Sequence, residues 1–248
     1  MRKICFFLLA IAVLQLTQAQ TTDKRLAGLD TFINRMLKEW HVAGITIAVV
    51  EKNKVLLAKG YGYKDYENKV PVTDNTLFAI GSCSKAFTSS LLSFPLKDGK
   101  LDLDKPVNLY LPELRFIKDE MTNNITTRDM MCHRTGLPRH DLVWYSAKTK
   151  RDSLIYAIRY FEPSAPLRQT WQYNNFMFLA QGVLAEKLSG KTWEELIKEK
   201  IFTPLGMTAS NTSMNDHQKA PDFSFGYRED EGKIIKMKFM NIDAMGPA

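Results

Sequence analysis

Hydrophobic periodicity predicts two β-hairpins, one near each end of the chain. Residues 45–50 are apolar and mostly β-branched, which is typical of a buried strand, and residues 55–63 predict its partner across a turn at Asn53. Residues 223–239 alternate apolar and polar side chains on both sides of a turn at 230–232. We expect the two hairpins to form the sheet side of the molecule.

Apolar side chains spaced three and four residues apart predict helices elsewhere. This spacing predicts an amphipathic helix over residues 22–40. A second helix is expected to begin at Ser82 and to run to about Phe94, where Pro95 interrupts it. Residues 101–124 are punctuated by prolines, so we expect extended surface chain there.

Cap signals predict the remaining helices. A threonine followed three residues later by an acidic side chain is typical of a helix start, and this spacing occurs at Thr126 and at Thr192. Gly190 is expected to stop the helix that precedes it. The helices predicted in this part of the chain cover residues 126–132, 152–161, 175–188 and 192–202.

The first 19 residues differ from the rest of the chain. A basic start is followed by an apolar run over residues 4–16 and by the small-residue pattern TQA at residues 17–19. This order is typical of a secretory signal peptide cleaved after Ala19, and the run is too short to span a bilayer well. We expect residues 20–248 to form one exported domain, periplasmic or secreted, without a stable membrane span.

Composition indicates a globular protein, and the charge pattern argues against a nucleic-acid-binding one. The chain is 45% hydrophobic and 25% charged, which is ordinary for a globular protein. Its net charge of +7 falls to +5 without residues 1–19, because 34 − 2 basic residues then face 27 acidic ones. The charges are interspersed and no nucleic-acid motif is present, so nucleic acid is not an expected partner. A small-molecule or peptide substrate is expected, and the sequence does not specify an oligomeric state.

The cysteines leave one question open. An exported protein can bridge Cys83 and Cys132, but their spacing is equally compatible with two free thiols. The cysteine, histidines and aspartate within residues 132–141 lack the spacing of known zinc sites. We therefore predict neither a metal nor a cofactor.

The stretch IGSCSKAFT at residues 80–88 carries the main candidate chemistry. A helix that starts at Ser82 places its hydroxyl beside unpaired backbone N–H groups at the positive end of the helix dipole. Lys85 follows one turn later on the same face, and a neutral lysine can take the proton that keeps serine from acting as a nucleophile. Ser-x-x-Lys is the acylation motif of penicillin-binding proteins and β-lactamases. Taken alone, it also fits a serine cap beside a solvated lysine.

A second candidate group is Tyr173 with Asn175, at the start of a predicted helix. Beside an ammonium group a tyrosine phenolate is stabilised, and it can then relay protons. Asn175 offers both a donor and an acceptor, so it can hold a lysine head and a substrate amide. We expect both side chains to act together with Ser82.

Five motifs, in order, resemble those of class C β-lactamase-like serine hydrolases and of the related D-alanyl-D-alanine peptidases, which are penicillin-binding proteins. The stretch at residues 80–88 resembles the active-site helix of that family, and YNN at residues 173–175 resembles its Tyr-x-Asn motif. The other resemblances are DGKL at 98–101, HRTGLP at 133–138 and IFTPLGM at 201–207.

The resemblance implies a role for each site residue. Ser82 is implied as the nucleophile that accepts the acyl group, with its backbone N–H as an oxyanion donor. Lys85 is implied as the base or proton relay, and Tyr173 as the group that protonates the leaving group and activates water. Asn175 would hold Lys85 and the substrate amide. His133 invites a Ser-His-Asp interpretation, but the resemblance implies a structural role for its loop.

The resemblance and the predicted elements imply an α+β, β-lactamase/transpeptidase-like fold. An antiparallel sheet flanked by helices would carry a mostly helical subdomain over residues 82–207. The family's third motif, Lys-Thr-Gly or His-x-Gly, does not occur after residue 175. We therefore expect a longer protein whose closing strands and second oxyanion donor lie beyond this chain, so that this piece alone is weakly active or inactive.

The leading hypothesis is an exported serine hydrolase that acts through a Ser82 acyl-enzyme on D-amino-acyl peptides, β-lactams or related esters and amides. Nothing in the sequence selects among these substrates. One alternative is an esterase of the same fold, which would ignore penicillins. Another is a non-hydrolytic sensor or peptidoglycan-binding module, which would acylate without release or fail to acylate.

Overall fold

The structure is a computed structural model that describes residues 23–145 and 148–248. The predicted signal peptide at residues 1–19 lies outside this described part and stays a prediction. None of the helices described has the length and apolar character needed to cross a bilayer.

The first predicted hairpin is confirmed. Strand β1 (Gly44–Glu51) pairs antiparallel with β2 (Lys54–Asp65), in a register that sets Gly44 opposite Gly62. A short strand that the sequence pattern does not predict, β3 (Val70–Pro71), pairs with β2. The sheet order is β1-β2-β3, so β1 is an edge strand among the strands described.

Helix α1 (Leu29–Glu39) is shorter than the helix predicted over residues 22–40. Gly28 has a left-handed φ of 84°, and a separate 3-10 turn (Lys24–Leu26) precedes it. A right-handed helix cannot continue through that conformation, so the prediction is wrong at its N-terminal end. Trp40, which the spacing assigns to the apolar stripe, is 67% exposed.

The helix predicted to begin at Ser82 is divided into three pieces, namely a 3-10 turn (Gly81–Cys83), α2 (Ser84–Leu91) and α3 (Ser93–Lys97). The predicted stop at Pro95 is wrong. This proline lies in the first turn of α3, where a residue without an N–H removes no helical hydrogen bond.

The expectation of extended surface chain over residues 101–124 is also wrong. The segment contains a 3-10 turn (Val107–Leu109) and α4 (Asp119–Asn124), and six of its apolar side chains are buried. The buried residues are Leu101, Val107, Leu111, Leu114, Phe116 and Met121. Val107, Leu111 and Leu114 have helical spacing, but prolines interrupt the segment and the whole set keeps neither a helical nor a strand period. Periodicity therefore does not reveal their burial.

The cap signals predict the later helices correctly. Thr126 and Thr192 each form a capping box, at the starts of α5 (Thr127–Met131) and α8 (Trp193–Ile197). Gly190, with a φ of 73°, ends the helix before it as predicted. The remaining α-helices in the described part of the chain are α6 (Arg151–Ala157), α7 (Asn175–Ser189) and α9 (Met214–Lys219), of which the sequence pattern does not predict the last.

Helix α7 is the centre of the hydrophobic core. Helices α2, α5, α6 and α8 pack around it, and its side chains Phe176, Met177, Leu179 and Leu184 are fully buried. Packing on all sides fixes the position of its N-terminal end at Asn175. This end faces the serine-bearing turn before α2.

The second predicted hairpin is confirmed and is shorter than expected. Strand β4 (Tyr227–Asp230) pairs antiparallel with β5 (Lys233–Lys236) in a sheet of their own. The two hairpins lie side by side, since the N–H of Phe225 donates to the carbonyl of Lys64 at 3.0 Å. The described chain is thus an α+β arrangement of small antiparallel sheets beside a helical body, as predicted.

Candidate active site

Ser82 lies in the 3-10 turn that leads into α2, and its side chain is exposed. The α-helix itself begins two residues later than the sequence predicts, at Ser84. Gly81 supports this geometry with a left-handed φ of 49°, a conformation that glycine adopts readily. The turn presents the hydroxyl at the entrance to the helix.

Lys85 lies beneath this hydroxyl and is only 7% exposed. Its Nζ donates to Ser82 Oγ at 3.1 Å and to Asn175 Oδ1 at 2.7 Å. Burial lowers the pKa of Lys85, and the charge of Arg139 lowers it further against the opposing influence of Tyr173. The neutral amine, which can accept a proton, is therefore more accessible here than in an exposed lysine.

Tyr173 approaches the same hydroxyl from the other side. Its Oη donates to Ser82 Oγ at 2.5 Å, and Lys85 Nζ lies 4.8 Å from the centre of its ring. Burial raises the pKa of the Tyr173 phenol, but hydrogen bonds with Lys85 and Ser82 and the nearby positive charges outweigh burial, so the pKa is lowered overall. Ser82 Oγ thus lies between two groups that can exchange protons with it.

Asn175 completes the group from the first turn of α7. Asn174 caps that helix by accepting a hydrogen bond from the N–H of Met177 at 3.2 Å, and this cap fixes the direction of the next side chain. Asn175 Nδ2 donates to Asp141 Oδ1 at 3.0 Å. The structure therefore brings the four predicted site residues together, although they come from two segments about 90 residues apart.

His133 is 8% exposed and packs beside the site without joining it. Its Nδ1 accepts a hydrogen bond from the N–H of Asn174 at 3.1 Å, and its ring lies 4.6 Å from that of Tyr173. Burial, with a contribution from the charge of Lys85, lowers the pKa of His133 to about 4. Among the contacts of the described residues, no hydrogen bond joins it to Ser82, so a Ser-His-Asp triad is not formed.

Sequence reasoning missed Asp141, which supports Asn175. Its carboxylate accepts hydrogen bonds from Asn175 Nδ2, from Trp144 Nε1 at 3.0 Å and from Arg139 Nε at 2.5 Å. The Arg139 guanidinium also lies 4.7 Å from the centre of the Tyr173 ring. A charged pair directly after the HRTGLP loop was the only available signal, and by itself it is indistinguishable from a solvated ion pair.

The structure also shows how the two cysteines and His140 are placed near the site. Cys83 and Cys132 are both free and exposed, so the structure contains no bridge between them. His140, which lies between Arg139 and Asp141, stacks on Phe161 with ring centres 4.3 Å apart instead of converging with its neighbours on one point. Within residues 23–145 and 148–248, no group of three or more potential metal ligands is present.

The chain matches the Beta-lactamase family model over residues 29–232. A protein named Unguisins hydrolase ungD′, from Aspergillus campestris, is 38% identical over 194 residues, which make up 74% of this chain and 36% of that protein. The chain thus spans little more than a third of that curated relative's length.

Solved structures give the same picture of the fold. FmtA from Staphylococcus aureus is 25% identical, with a TM-score of 0.75 over 88% of this chain and 60% of its own. A class C β-lactamase, at 23% identity, shares the fold with a TM-score of 0.75 over 91% of this chain and 60% of its own. From the family match and this β-lactamase/transpeptidase-like fold, we conclude that the chain belongs to the Beta-lactamase family.

Proposed function

We propose that the protein is a serine hydrolase in which Ser82 attacks an acyl group and carries it as an acyl-enzyme. The observation that supports this most strongly is the position of Ser82 Oγ, 3.1 Å from Lys85 Nζ and 2.5 Å from Tyr173 Oη. The pKa of each neighbour is lowered, so one of them can take the serine proton near neutral pH more readily than a solvent-exposed lysine or tyrosine could.

In the acylation step, Ser82 Oγ bonds to the substrate carbonyl carbon while its proton moves to Lys85 Nζ or Tyr173 Oη. The carbonyl oxygen takes up negative charge, for which the Ser82 N–H is the proposed donor. The bond to the leaving group then breaks, and the proton held by Lys85 and Tyr173 passes to the leaving nitrogen or oxygen. A water that gives its proton to the same pair attacks the acyl-enzyme, and the released Ser82 oxygen regains that proton.

The proposed substrates are D-amino-acyl peptides, β-lactams and related esters or amides. Support comes from relatives that are hydrolases and β-lactamases by name, together with a site that reacts with a carbonyl carbon irrespective of the group attached to it. An esterase and an acylated sensor would use the same Ser82 and differ in the leaving group or in the release step. The experiment must therefore separate acylation from release.

Intact mass of the full-length protein after incubation with benzylpenicillin, or with p-nitrophenyl acetate, tests the proposal. The Ser82→Ala variant removes the nucleophile. Ser84→Ala is the matched control, since it removes a hydroxyl two residues away at the start of α2. We expect an acyl adduct or catalytic loss of one reagent with the wild type and with Ser84→Ala, and neither with Ser82→Ala.

The pattern of results identifies the reaction. A lasting penicillin adduct indicates a penicillin-binding peptidase or a sensor, and loss of penicillin without a lasting adduct indicates a β-lactamase. Reaction with the ester alone indicates an esterase. A wild type that neither binds nor turns over either reagent, or a Ser82→Ala variant as active as the wild type, contradicts the proposal.

We also propose export to the periplasm or the medium. The support is the order of basic, apolar and small residues within residues 1–19. N-terminal sequencing of the mature protein from its native host is expected to begin at Gln20. An unprocessed N-terminus contradicts this proposal without affecting the proposed chemistry.

A further inference from the structure

We propose that Asp141 is a positioning residue of this site, which sets the orientation of the Asn175 amide and thereby holds Lys85 beside Ser82. The expected effect on the rate of acylation rests on the function proposed above. The hydrogen-bond geometry from which we draw the inference does not depend on that function. Arg139 and Trp144 hold the carboxylate in place, so the unit consists of one carboxylate and three donors.

The two ends of the Asn175 amide face partners of opposite hydrogen-bonding type. The Lys85 ammonium can only donate, so the amide oxygen must face it, and this hydrogen bond is 2.7 Å long. An ionised Asp141 can only accept, so the amide nitrogen must face it, at 3.0 Å. The two partners therefore specify the same orientation, and a flipped amide would set donor against donor and acceptor against acceptor.

Without Asp141 only the Lys85 hydrogen bond would orient the amide, and Lys85 must be uncharged before it can act as a base. A neutral amine can accept as well as donate, so the flipped amide would then compete. Asn175 is 6% exposed, so water is poorly placed to compensate for a lost partner. Asp141 thus keeps the amide oxygen facing Lys85 whether the lysine is charged or neutral.

The carboxylate is itself held from three directions. Arg139 Nε donates to Oδ2 at 2.5 Å, while Trp144 Nε1 and Asn175 Nδ2 both donate to Oδ1 at 3.0 Å. The carboxylate is 26% exposed, so these bonds form in a partly desolvated environment where they are stronger than at an open surface. His140, stacked on Phe161, anchors the loop that carries this unit.

The unit also places two opposite charges near Lys85. The charge of Asp141 raises the pKa of Lys85 and the charge of Arg139 lowers it. The polar groups that face Lys85 from the surrounding elements are Ser82, His133, Arg139, Asp141, Tyr173 and Asn175. Removing the negative charge should therefore make Lys85 titrate at a lower pH, and removing the positive charge should make it titrate at a higher pH.

NMR titration of the labelled Lys85 side chain tests this without requiring a substrate. We expect a lower titration midpoint in Asp141→Asn and a higher midpoint in Arg139→Gln. The matched controls are Asp230→Asn and Arg228→Gln, because these residues form an Arg–Asp pair with the same two-residue spacing on the second hairpin. Both controls should leave the midpoint unchanged. Unchanged midpoints in both site variants would overturn the inference.

The rate of Ser82 acylation supplies the second readout. We expect Asp141→Ala to lower this rate at least about tenfold with little change in KM, because misplacing a proton-transfer group slows chemistry more than binding. A wild-type rate in Asp141→Ala would also overturn the inference. If the wild-type protein does not acylate but the Lys85 midpoints move as expected, the proposed function fails while the placement of Asp141 and Arg139 beside Lys85 stands.

Discussion

Two basic side chains at this site, Lys85 and His133, show how one physical cause has different consequences for different residues. Burial is the main cause that lowers the pKa of each. The Lys85 amine faces Ser82 Oγ, whereas His133 Nδ1 is occupied by the N–H of Asn174. The same desolvation thus favours a neutral amine beside Ser82 Oγ at Lys85 and keeps His133 neutral as a packing residue.

The neutral state of His133 predicts a pH dependence of stability. The unfolded chain takes up this proton near pH 6.5, but the folded protein takes it up only near pH 4. More protons are therefore bound by the unfolded state in this range, so stability falls as the pH falls from about 6.5 to about 4. We expect His133 to account for about 2 kcal/mol of the loss between pH 7 and pH 4.5, since one pKa unit corresponds to about 1.4 kcal/mol.

Urea unfolding at pH 7 and at pH 4.5 checks this predicted loss of stability. The His133→Asn variant, which keeps an acceptor near the Nδ1 position, should lose less stability on acidification than the wild type. His41→Asn, at an exposed position, serves as the control and should follow the wild type. Equal losses in all three proteins would show that His133 is protonated normally in the folded state.

At the scale of elements, the loop of residues 133–138 is held in place through its backbone. The carbonyl of Gly136 accepts hydrogen bonds from the N–H groups of Ser164 and Ala165, at 3.0 and 3.3 Å. Gly136 has a φ of 81°, and a Cβ added there would lie 2.1 Å from the carbonyl oxygen of Ala165. The loop thus requires glycine both for its conformation and for the close approach of a second segment.

A pair of glycine substitutions separates these two requirements. Gly99 has a similar φ of 69° but no atom within 4 Å of an added Cβ, so Gly99→Ala should cost only the backbone strain of about 1 kcal/mol. Gly136→Ala adds a backbone clash and should cost about 3 kcal/mol or more. Equilibrium unfolding in urea measures both changes. Equal costs would mean that the second segment moves away freely.

At the scale of the whole molecule, Thr88 joins three distant parts of the chain. It is fully buried in α2, where its hydroxyl donates to the carbonyl of Pro247 at 2.7 Å and accepts from Trp193 Nε1 at 3.0 Å. Trp193 begins α8, and Pro247 is 159 residues from Thr88. One hydroxyl therefore links α2, α8 and the segment that follows the second hairpin.

Replacement of Thr88 by valine keeps the shape and removes both hydrogen bonds. A buried carbonyl and a buried indole N–H then lose a partner, at a cost of about 1–3 kcal/mol for each unsatisfied group. We expect Thr88→Val to lower the free energy of unfolding by about 2–4 kcal/mol. Ser90→Ala, which removes an exposed hydroxyl from the same helix, should change it by less than about 0.5 kcal/mol. A similar small change in both variants would contradict the role of Thr88.

Local sequence information determined much of the fold. The apolar run at residues 45–50, the capping pairs at Thr126 and Thr192 and the stop at Gly190 each depend on neighbours within a few residues, and all were predicted correctly. The Ser-x-x-Lys spacing belongs to the same class, because one helical turn by itself brings the lysine beneath the serine.

Only the tertiary structure decided which of several similar groups take part in the site. The burial of several apolar side chains within residues 101–124, the packing role of His133 and the contact of Asp141 with Asn175 all arise between segments that are distant in sequence. An exposed ion pair and a positioning carboxylate have the same local pattern, and they differ only in what the fold brings against them. The sequence alone thus determined the chemical groups and their local geometry, whereas packing around α7 determined their partners, burial and charge environment.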